Sequence, residues 1–222
     1  MTFSIRATKY FCNLKTPIIK APGVDLLNPY KKEDVKITVS SFFKKFYPDD
    51  NERIFVFGIN PGRFGGGLTG IAFTDPVALR ENCGIENNLG YRKELSSKFI
   101  YLVAEKYGGV EKFLSKVFLT ALFPFAIIKD GKNYNYYDDK LLLARLIPAI
   151  VRNVKSQIDF GARRDFVILL GKKNAEFFIP INKKYKFFKN VFVLEHPRYI
   201  MQYKLRLSST YIKKYINTIN SL

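Results

Sequence analysis

Four stretches of the chain are apolar almost throughout, unlike the mixed segments between them. They are residues 53–59 (RIFVFGI), 117–122 (VFLTAL), 165–170 (DFVILL) and 191–194 (VFVL). A strand that is buried on both faces of a parallel sheet shows such a continuous run instead of alternating apolar and polar positions. We therefore predict four buried strands, the last of them short.

The segments between these runs place apolar residues every three to four positions, as amphipathic helices do. The clearest are residues 91–107, which end at Gly108-Gly109, and residues 138–157, in which Pro148 is expected to produce a kink. Shorter helices are predicted at 39–46, 76–83, 110–115, 172–178 and 205–219.

Strands that alternate with helices indicate an α/β fold with a mainly parallel sheet. We expect a three-layer α/β/α sandwich around a central, mainly parallel four-stranded sheet. A chain of 222 residues has the size of many single α/β domains. We therefore expect one domain over residues 1–222, with a basic, helical lead-in at 1–50. No stretch approaches the roughly 18 apolar residues of a membrane span, so no membrane partner is expected.

Charge narrows the possible partners. Lysine and arginine number 37 against 19 acidic residues, a formal net charge of +18. So basic a surface attracts polyanions, because binding their phosphates releases counterions. A nucleic acid is the expected partner, and lysine-rich faces that are only solvated are the alternative. Cys12 and Cys83 form no CxxC pair, which argues against a disulfide framework and fits a reducing cytoplasm.

Two polar residues follow predicted strands, at the edge where ligands bind in parallel sheets. Asn60 comes after the first strand and opens a glycine-rich loop at 60–75, and His196 comes after the last strand. The loop lacks the GxxxxGK[ST] pattern of a P-loop. Its glycines suit either a plain surface loop or a backbone that approaches a flat ligand closely. The single histidine is either structural or catalytic and cannot build a multi-histidine metal site, so we expect no metal and no cofactor.

The segment after His196 reads HPRYIMQYK and mixes cations with aromatic and apolar residues. Such a mixture suits a loop that wedges into a stack of bases. The alternative is that Tyr199 and Ile200 are ordinary core residues.

Taken together, these motifs resemble the uracil-DNA glycosylase superfamily, most closely its single-strand-selective monofunctional (SMUG-type) branch and a bacterial SMUG2-like subgroup. The resemblance is carried by Gly58-Ile59-Asn60-Pro61-Gly62, by Thr69-Gly70, by Phe73 and by His196-Pro197, and it runs over residues 53–204. Weaker similarities lie at 83–85, 93–96, 131–133 and 169–176.

The resemblance implies a monofunctional glycosylase of base excision repair that removes uracil or a related base from single- or double-stranded DNA. Asn60 and His196 would be catalytic, the amide placing a water and the imidazole binding a base oxygen. The protein would act as a cytoplasmic, nucleoid-associated monomer. The residues expected to bind the substrate nucleotide are Ile59, Gly62, Phe73, Thr120 and Ala121. The residues expected to contact DNA are Arg63, Pro197, Arg198, Tyr199, Ile200 and Lys204.

One position departs from the family pattern. Where the family places an asparagine that reads the base edge, this chain has Ala121, whose methyl group cannot form a hydrogen bond. A site that loses such a partner can lose orders of magnitude in discrimination. Thr120 or backbone groups could substitute, and the excised base is left open among uracil, xanthine, hypoxanthine and oxidised pyrimidines. A non-catalytic protein that binds damaged or single-stranded DNA is the alternative function, and an RNA-associated basic protein is a third.

Overall fold

The computed structural model describes residues 1–19 and 21–222. In these residues the chain forms ten α-helices and seven strands, joined by turns and short 3₁₀ segments. In chain order they are α1 (Phe3–Cys12), β1 (Val24–Leu27), α2 (Glu33–Phe46), β2 (Arg53–Gly58), α3 (Gly66–Thr69), α4 (Pro76–Glu81), α5 (Leu95–Tyr107), α6 (Val110–Lys116), β3 (Val117–Ala121), β4 (Ala126–Lys129), β5 (Lys132–Tyr134), α7 (Lys140–Ile158), β6 (Ala162–Leu170), α8 (Lys172–Tyr185), β7 (Asn190–Leu194), α9 (Pro197–Tyr203) and α10 (Ser208–Asn220).

The central sheet contains the four predicted strands in the order β3-β2-β6-β7. All three strand pairs are parallel. Every residue of β2 is buried, as its continuous apolar sequence predicts. Helices flank the sheet, so the predicted α/β fold with a parallel four-stranded sheet is confirmed.

Aromatic contacts join the helices to the sheet. Phe3 of α1 lies 5.0 Å from Phe118 of β3, between ring centroids, and Phe178 of α8 lies 6.1 Å from Phe57 of β2. Arg53, at the start of β2, is completely buried and lies over the Phe3 ring at 4.9 Å. The first fifty residues therefore contribute directly to the packing around the sheet.

The sequence reading missed a second, antiparallel sheet in the order β1-β4-β5. Its strands are only three or four residues long, and β5 (KNY) is polar, so none of them has the longer apolar run that marks the central strands. Lys129 pairs with Lys132 across a two-residue turn. Asp130 and Gly131 in this turn both have positive φ, +49° and +69°. Asp-Gly is a strong signal for such a hairpin turn, and it was the available sequence clue.

Several predicted helix bounds also need correction. The helix α2 begins at Glu33, before the predicted start, and α5 begins at Leu95, after it. The helix α7 continues through Pro148, as the predicted helix over 138–157 did. The helix α1 falls within the expected helical lead-in, but its bounds were not predicted. Among the described residues, no helix combines the length and apolar character needed to cross a membrane.

Candidate active site in a basic cleft

A cleft of about 1170 Å³ opens at the carboxyl ends of the central strands. Asn60 lies two residues after β2 and His196 two residues after β7, and both line this cleft. Phe73, Gly62 and Ala121 line it as well. Parallel strands bring these residues together because their carboxyl ends meet at one edge of the sheet.

The Asn60 amide has a defined orientation. Its Nδ2 donates a hydrogen bond to the carbonyl oxygen of Tyr134 at 3.1 Å. Its Oδ1 is buried and receives no hydrogen bond from the described residues. A buried amide oxygen without a donor is costly, so this oxygen is a ready acceptor for a water or ligand in the cleft.

The β4–β5 hairpin also holds the backbone that follows Asn60. Asn133 Oδ1 accepts a hydrogen bond from the Arg63 N–H at 3.0 Å. The Arg63 guanidinium donates to the Gly131 carbonyl oxygen. The hairpin that the sequence reading missed thus supports the catalytic candidate from outside the central sheet.

His196 is half-buried and caps the N-terminus of α9. Its Nδ1 accepts a hydrogen bond from the Arg198 N–H at 3.2 Å, so a neutral ring carries its proton on Nε2. Burial lowers the pKa of His196 to about 4, and the charge of Arg198 contributes in the same direction. Near neutral pH the side chain is therefore an uncharged imidazole whose free Nε2–H can donate a hydrogen bond.

Phe73 lies beside His196, with 6.1 Å between the ring centroids. Its backbone φ is +57°, a left-handed conformation that costs a non-glycine residue about 1–3 kcal/mol. Gly58 makes room for the ring, because a Cβ there would lie 2.5 Å from Phe73 Cζ. The backbone of Phe73 is thus locally strained in the conformation that places its aromatic ring at the cleft.

The space beside Gly62 is not open. A Cβ built on Gly62 would lie 2.4 Å from a carboxylate oxygen of Glu94, and Glu94 lines the cleft. Gly62 was expected to bind the substrate nucleotide. The Glu94 side chain, which is distant in sequence, occupies the space beside it.

Thr120 does not line the cleft. It is buried and its Oγ1 donates a hydrogen bond to Gln157 Oε1. Gln157 Nε2 in turn donates to the Ala121 carbonyl oxygen at 3.3 Å. Thr120, which was considered as a substitute for the missing amide, is therefore not at the cleft. Ala121 lines the cleft, together with the mostly buried Ile59.

The segment predicted as a wedging loop is the helix α9. Pro197 fixes its first turn after the His196 cap, an arrangement typical of helix starts. Pro197 and Ile200 are buried, so neither faces a partner, and the expectation that they contact DNA needs correction. Arg198 and Tyr199 are exposed and line the cleft. Lys204, at the end of the helix, is exposed but does not line it.

Comparison with known proteins identifies the family. The model of the "Uracil DNA glycosylase superfamily" matches residues 44–220. The chain belongs to the uracil-DNA glycosylase superfamily. No curated protein matches it. Among solved structures, it is similar to wild-type SMUG2 from Pedobacter heparinus, with 38% identity, 100% of this chain and 98% of that chain covered, and a TM-score of 0.95.

The chain is a SMUG2-like member of the superfamily, as its sequence motifs indicated. The family and this neighbour support a role as a DNA glycosylase in DNA repair. The fold of the neighbour extends over the whole chain, including the first fifty residues that the motifs leave uncovered.

This glycosylase-superfamily member lines its cleft with more cations than acids. Of the described residues there, six are cationic and two, Glu94 and Glu195, are acidic. Sequence reading missed most of these cations, which lie on elements far apart in the chain. They are Arg63, Lys93, Lys132, Lys172, Lys173 and Arg198.

Aromatic residues accompany these cations. Lys173 lies over the Tyr137 ring at 5.3 Å from its centroid. Tyr199 and Tyr203 of α9 lie 5.7 Å apart, between ring centroids, and both line the cleft. A wall of cations and rings suits a strand of nucleic acid, whose phosphates and bases need these two kinds of partner.

Proposed function

We propose that this protein is a monofunctional DNA glycosylase. It hydrolyses the N-glycosidic bond of uracil or a related deaminated or damaged base that has been flipped out of DNA, as the first step of base excision repair. The observation that carries the proposal is the pairing, in one cleft, of an unsatisfied Asn60 Oδ1 with a neutral His196 whose Nε2–H is free. Membership of the superfamily supports it.

The first step breaks the bond between C1′ and the base nitrogen. The bonding electron pair leaves with the base, so negative charge develops on the base oxygen. The Nε2–H of His196 donates a hydrogen bond to that oxygen and stabilises the leaving group without transferring a proton. Removing one such preorganised donor costs about 2.7–4 kcal/mol in comparable sites.

The second step is attack by water on the sugar. The departing base leaves an oxocarbenium-like C1′, which reacts readily with water. Asn60 Oδ1 accepts a hydrogen bond from that water and directs its oxygen towards C1′. An amide is a weak base, but it suffices for a step in which bond cleavage precedes attack. The water loses its proton to solvent once the C1′–O bond has formed.

The remaining residues hold the nucleotide in place. Phe73 stacks on the base, a contact worth about 1–3 kcal/mol, which offsets part of the few kcal/mol that extrusion costs. Arg198 and Tyr199 contact the strand. Because neither step uses a lysine amine, no Schiff base forms and the strand is not cut.

We further propose that DNA is the macromolecular partner, that the enzyme acts as a monomer, and that it works on the nucleoid in the cytoplasm. The formal charge of +18 and the cationic cleft support a polyanionic partner. Both single- and double-stranded DNA fit this description.

A substrate panel tests the activity. The protein is incubated with oligonucleotides that each contain one uracil, xanthine, hypoxanthine or 5-hydroxymethyluracil, and abasic sites are then cleaved with hot alkali. We expect cleavage of at least one strand, only after the alkali step. Strands that remain intact across the whole panel would overturn the proposal, and cleavage without alkali would overturn its monofunctional part.

Ala121 favours a second candidate, a non-catalytic binder of damaged DNA. Its methyl group lines the cleft where the family places an amide, and the Thr120 hydroxyl is engaged by Gln157. Asn60→Ala separates the two functions. In an enzyme it abolishes turnover and spares DNA affinity. A pure binder shows no turnover to lose and is unaffected by the substitution.

A further inference from the structure

Glu94 is a carboxylate in the cleft that the proposed mechanism does not use. It occupies the cap position of α5, yet its side chain makes no capping hydrogen bond to that helix. The carboxylate lies instead against the segment that follows Asn60. A Cβ on Gly62 or on Gly65 would approach one of its oxygens to 2.4 Å.

The backbone of Glu94 is fixed from the opposite side. Its N–H donates a hydrogen bond to Asp75 Oδ2 at 2.8 Å. Asp75 is buried, and its Oδ1 accepts hydrogen bonds from the first turn of α4 at 3.0 and 2.8 Å. A residue anchored in this way can hold a loop in place, because its own backbone is not free to follow the loop.

Several groups act on the Glu94 carboxylate. Burial raises its pKa, the Phe64 N–H and the charge of Arg198 lower it, Asp75 raises it, and the Gly65 N–H lowers it. The net effect is a raised pKa. Burial therefore disfavours the charged form, and two groups of neighbours partly offset this effect, namely the N–H groups of the loop after Asn60 and the arginine two residues after His196.

We propose that Glu94 is a positioning residue of the glycosylase site, whose carboxylate holds residues 62–65 after Asn60 and attracts Arg198 after His196, so that amide and imidazole keep their relative places. This inference rests on the proposed function. Glycine is required at 62 and 65 because a side chain at either position would displace the carboxylate. A carboxylate suits the task because it accepts several hydrogen bonds and donates none.

The first experiment compares Glu94→Ala and Glu94→Gln with a matched control, Glu105→Gln. Glu105 lies on the same helix, and its exposed side chain contacts only Lys106 among salt-bridge partners in the described residues. Single-turnover excision by Glu94→Ala should fall about 10- to 100-fold, the value of a lost charge-assisted hydrogen bond. Glu94→Gln, which keeps one acceptor oxygen, should retain part of the rate, and the control should match wild type.

The DNA affinity of the Glu94 variants should not fall together with their excision rate. Removing a negative charge from a cationic cleft leaves binding of a polyanion unchanged or tighter. Slower chemistry with equal or tighter binding separates positioning from general loss of structure, which weakens both. A wild-type rate in Glu94→Ala, or a loss of affinity that matches the loss of rate, would overturn the proposal.

A double-mutant cycle with Gly65→Ala, at a position that does not line the cleft, tests the contact itself. In the wild-type background the added methyl group displaces the carboxylate and slows excision. In the Glu94→Ala background no carboxylate remains to be displaced, so Gly65→Ala should have little further effect. If the double mutant lost the product of the two fold-losses in excision rate that the single substitutions cause, the proposal would be contradicted.

Amide NMR gives a readout that does not depend on activity. In wild type the Phe64 and Gly65 amide shifts should titrate with a carboxyl group, and their hydrogen exchange should be faster in Glu94→Gln. If wild type excises no base, the proposed function fails while this measurement still decides whether Glu94 holds the loop. Shifts and exchange rates equal in both proteins would overturn that role.

Discussion

His196 is the only histidine in the chain, so its titration can be followed by NMR without overlap. We expect a pKa of about 4, because burial and Arg198 oppose protonation. We also expect ¹⁵N shifts of a ring protonated at Nε2. A pKa near 6.5 would contradict the account.

The lowered pKa has a consequence for stability. The unfolded chain has an ordinary histidine pKa of about 6.5 and therefore binds more protons than the folded chain between that pH and about 4. The contribution of His196 to the free energy of unfolding should be fully present above pH 6.5. It should decrease as the pH falls from 6.5 towards about 4. Denaturant unfolding of wild type and His196→Asn across that range should show the difference.

Phe73 allows backbone strain to be separated from ring contacts. Phe73→Ala and Phe73→Gly both remove the ring, but only glycine adopts a φ of +57° at little cost. The glycine variant should be more stable by about 1 kcal/mol. At Ile37, which is exposed in the helix α2, glycine should be the less stable of the two. If thermal unfolding shows the glycine variant to be less stable than the alanine variant at both positions, the backbone strain at Phe73 is refuted.

Sequence position was enough to identify some site residues but not others. Asn60 and His196 were found because each follows a continuous apolar strand, where parallel topology places ligands. The roles of Glu94 and Asn133 depend on contacts with residues 29 to 70 positions away, which local pattern does not encode.

At the scale of elements, the helix α9 has one buried and one exposed side. The sequence left open whether Tyr199 and Ile200 are core residues or contact a partner. Ile200 is completely buried, whereas Tyr199 is 43% exposed. Ile200→Ala should therefore lower the free energy of unfolding by about 2–5 kcal/mol. Tyr199→Ala should leave stability almost unchanged and weaken DNA binding. Comparable effects of the two substitutions on stability would contradict this division.

Elements with a strong local sequence pattern were predicted, and elements with a weak pattern were missed. The four strands of the central sheet were found because burial on both faces makes them apolar throughout. The β4–β5 hairpin was missed because its strands are short and β5 is polar. The α9 segment was read as a loop because its cations and rings suggested a contact surface, although His196-Pro197 is a sound helix start.

At the scale of the whole molecule, net charge should appear as salt dependence of DNA binding. Lys172 and Lys173 begin α8 and line the cleft, whereas Lys183 and Lys184 lie exposed near its other end. Replacing the first pair with glutamine should reduce the slope of log affinity against log salt by about 1.4 on single strands and 1.8 on duplex. The second pair is the control, and equal effects would show that the cleft is not the preferred binding surface.

The central claim is that Asn60 and His196 act on one flipped nucleotide. The most direct test is a crystal structure with DNA whose target nucleotide carries a 2′-fluorine, which slows bond cleavage by withdrawing electrons from the sugar. We expect the base against Phe73, His196 Nε2 about 2.7–3.2 Å from a base oxygen, and a water between Asn60 Oδ1 and C1′. A nucleotide bound outside this cleft, or a base oxygen out of reach of His196, would contradict the account.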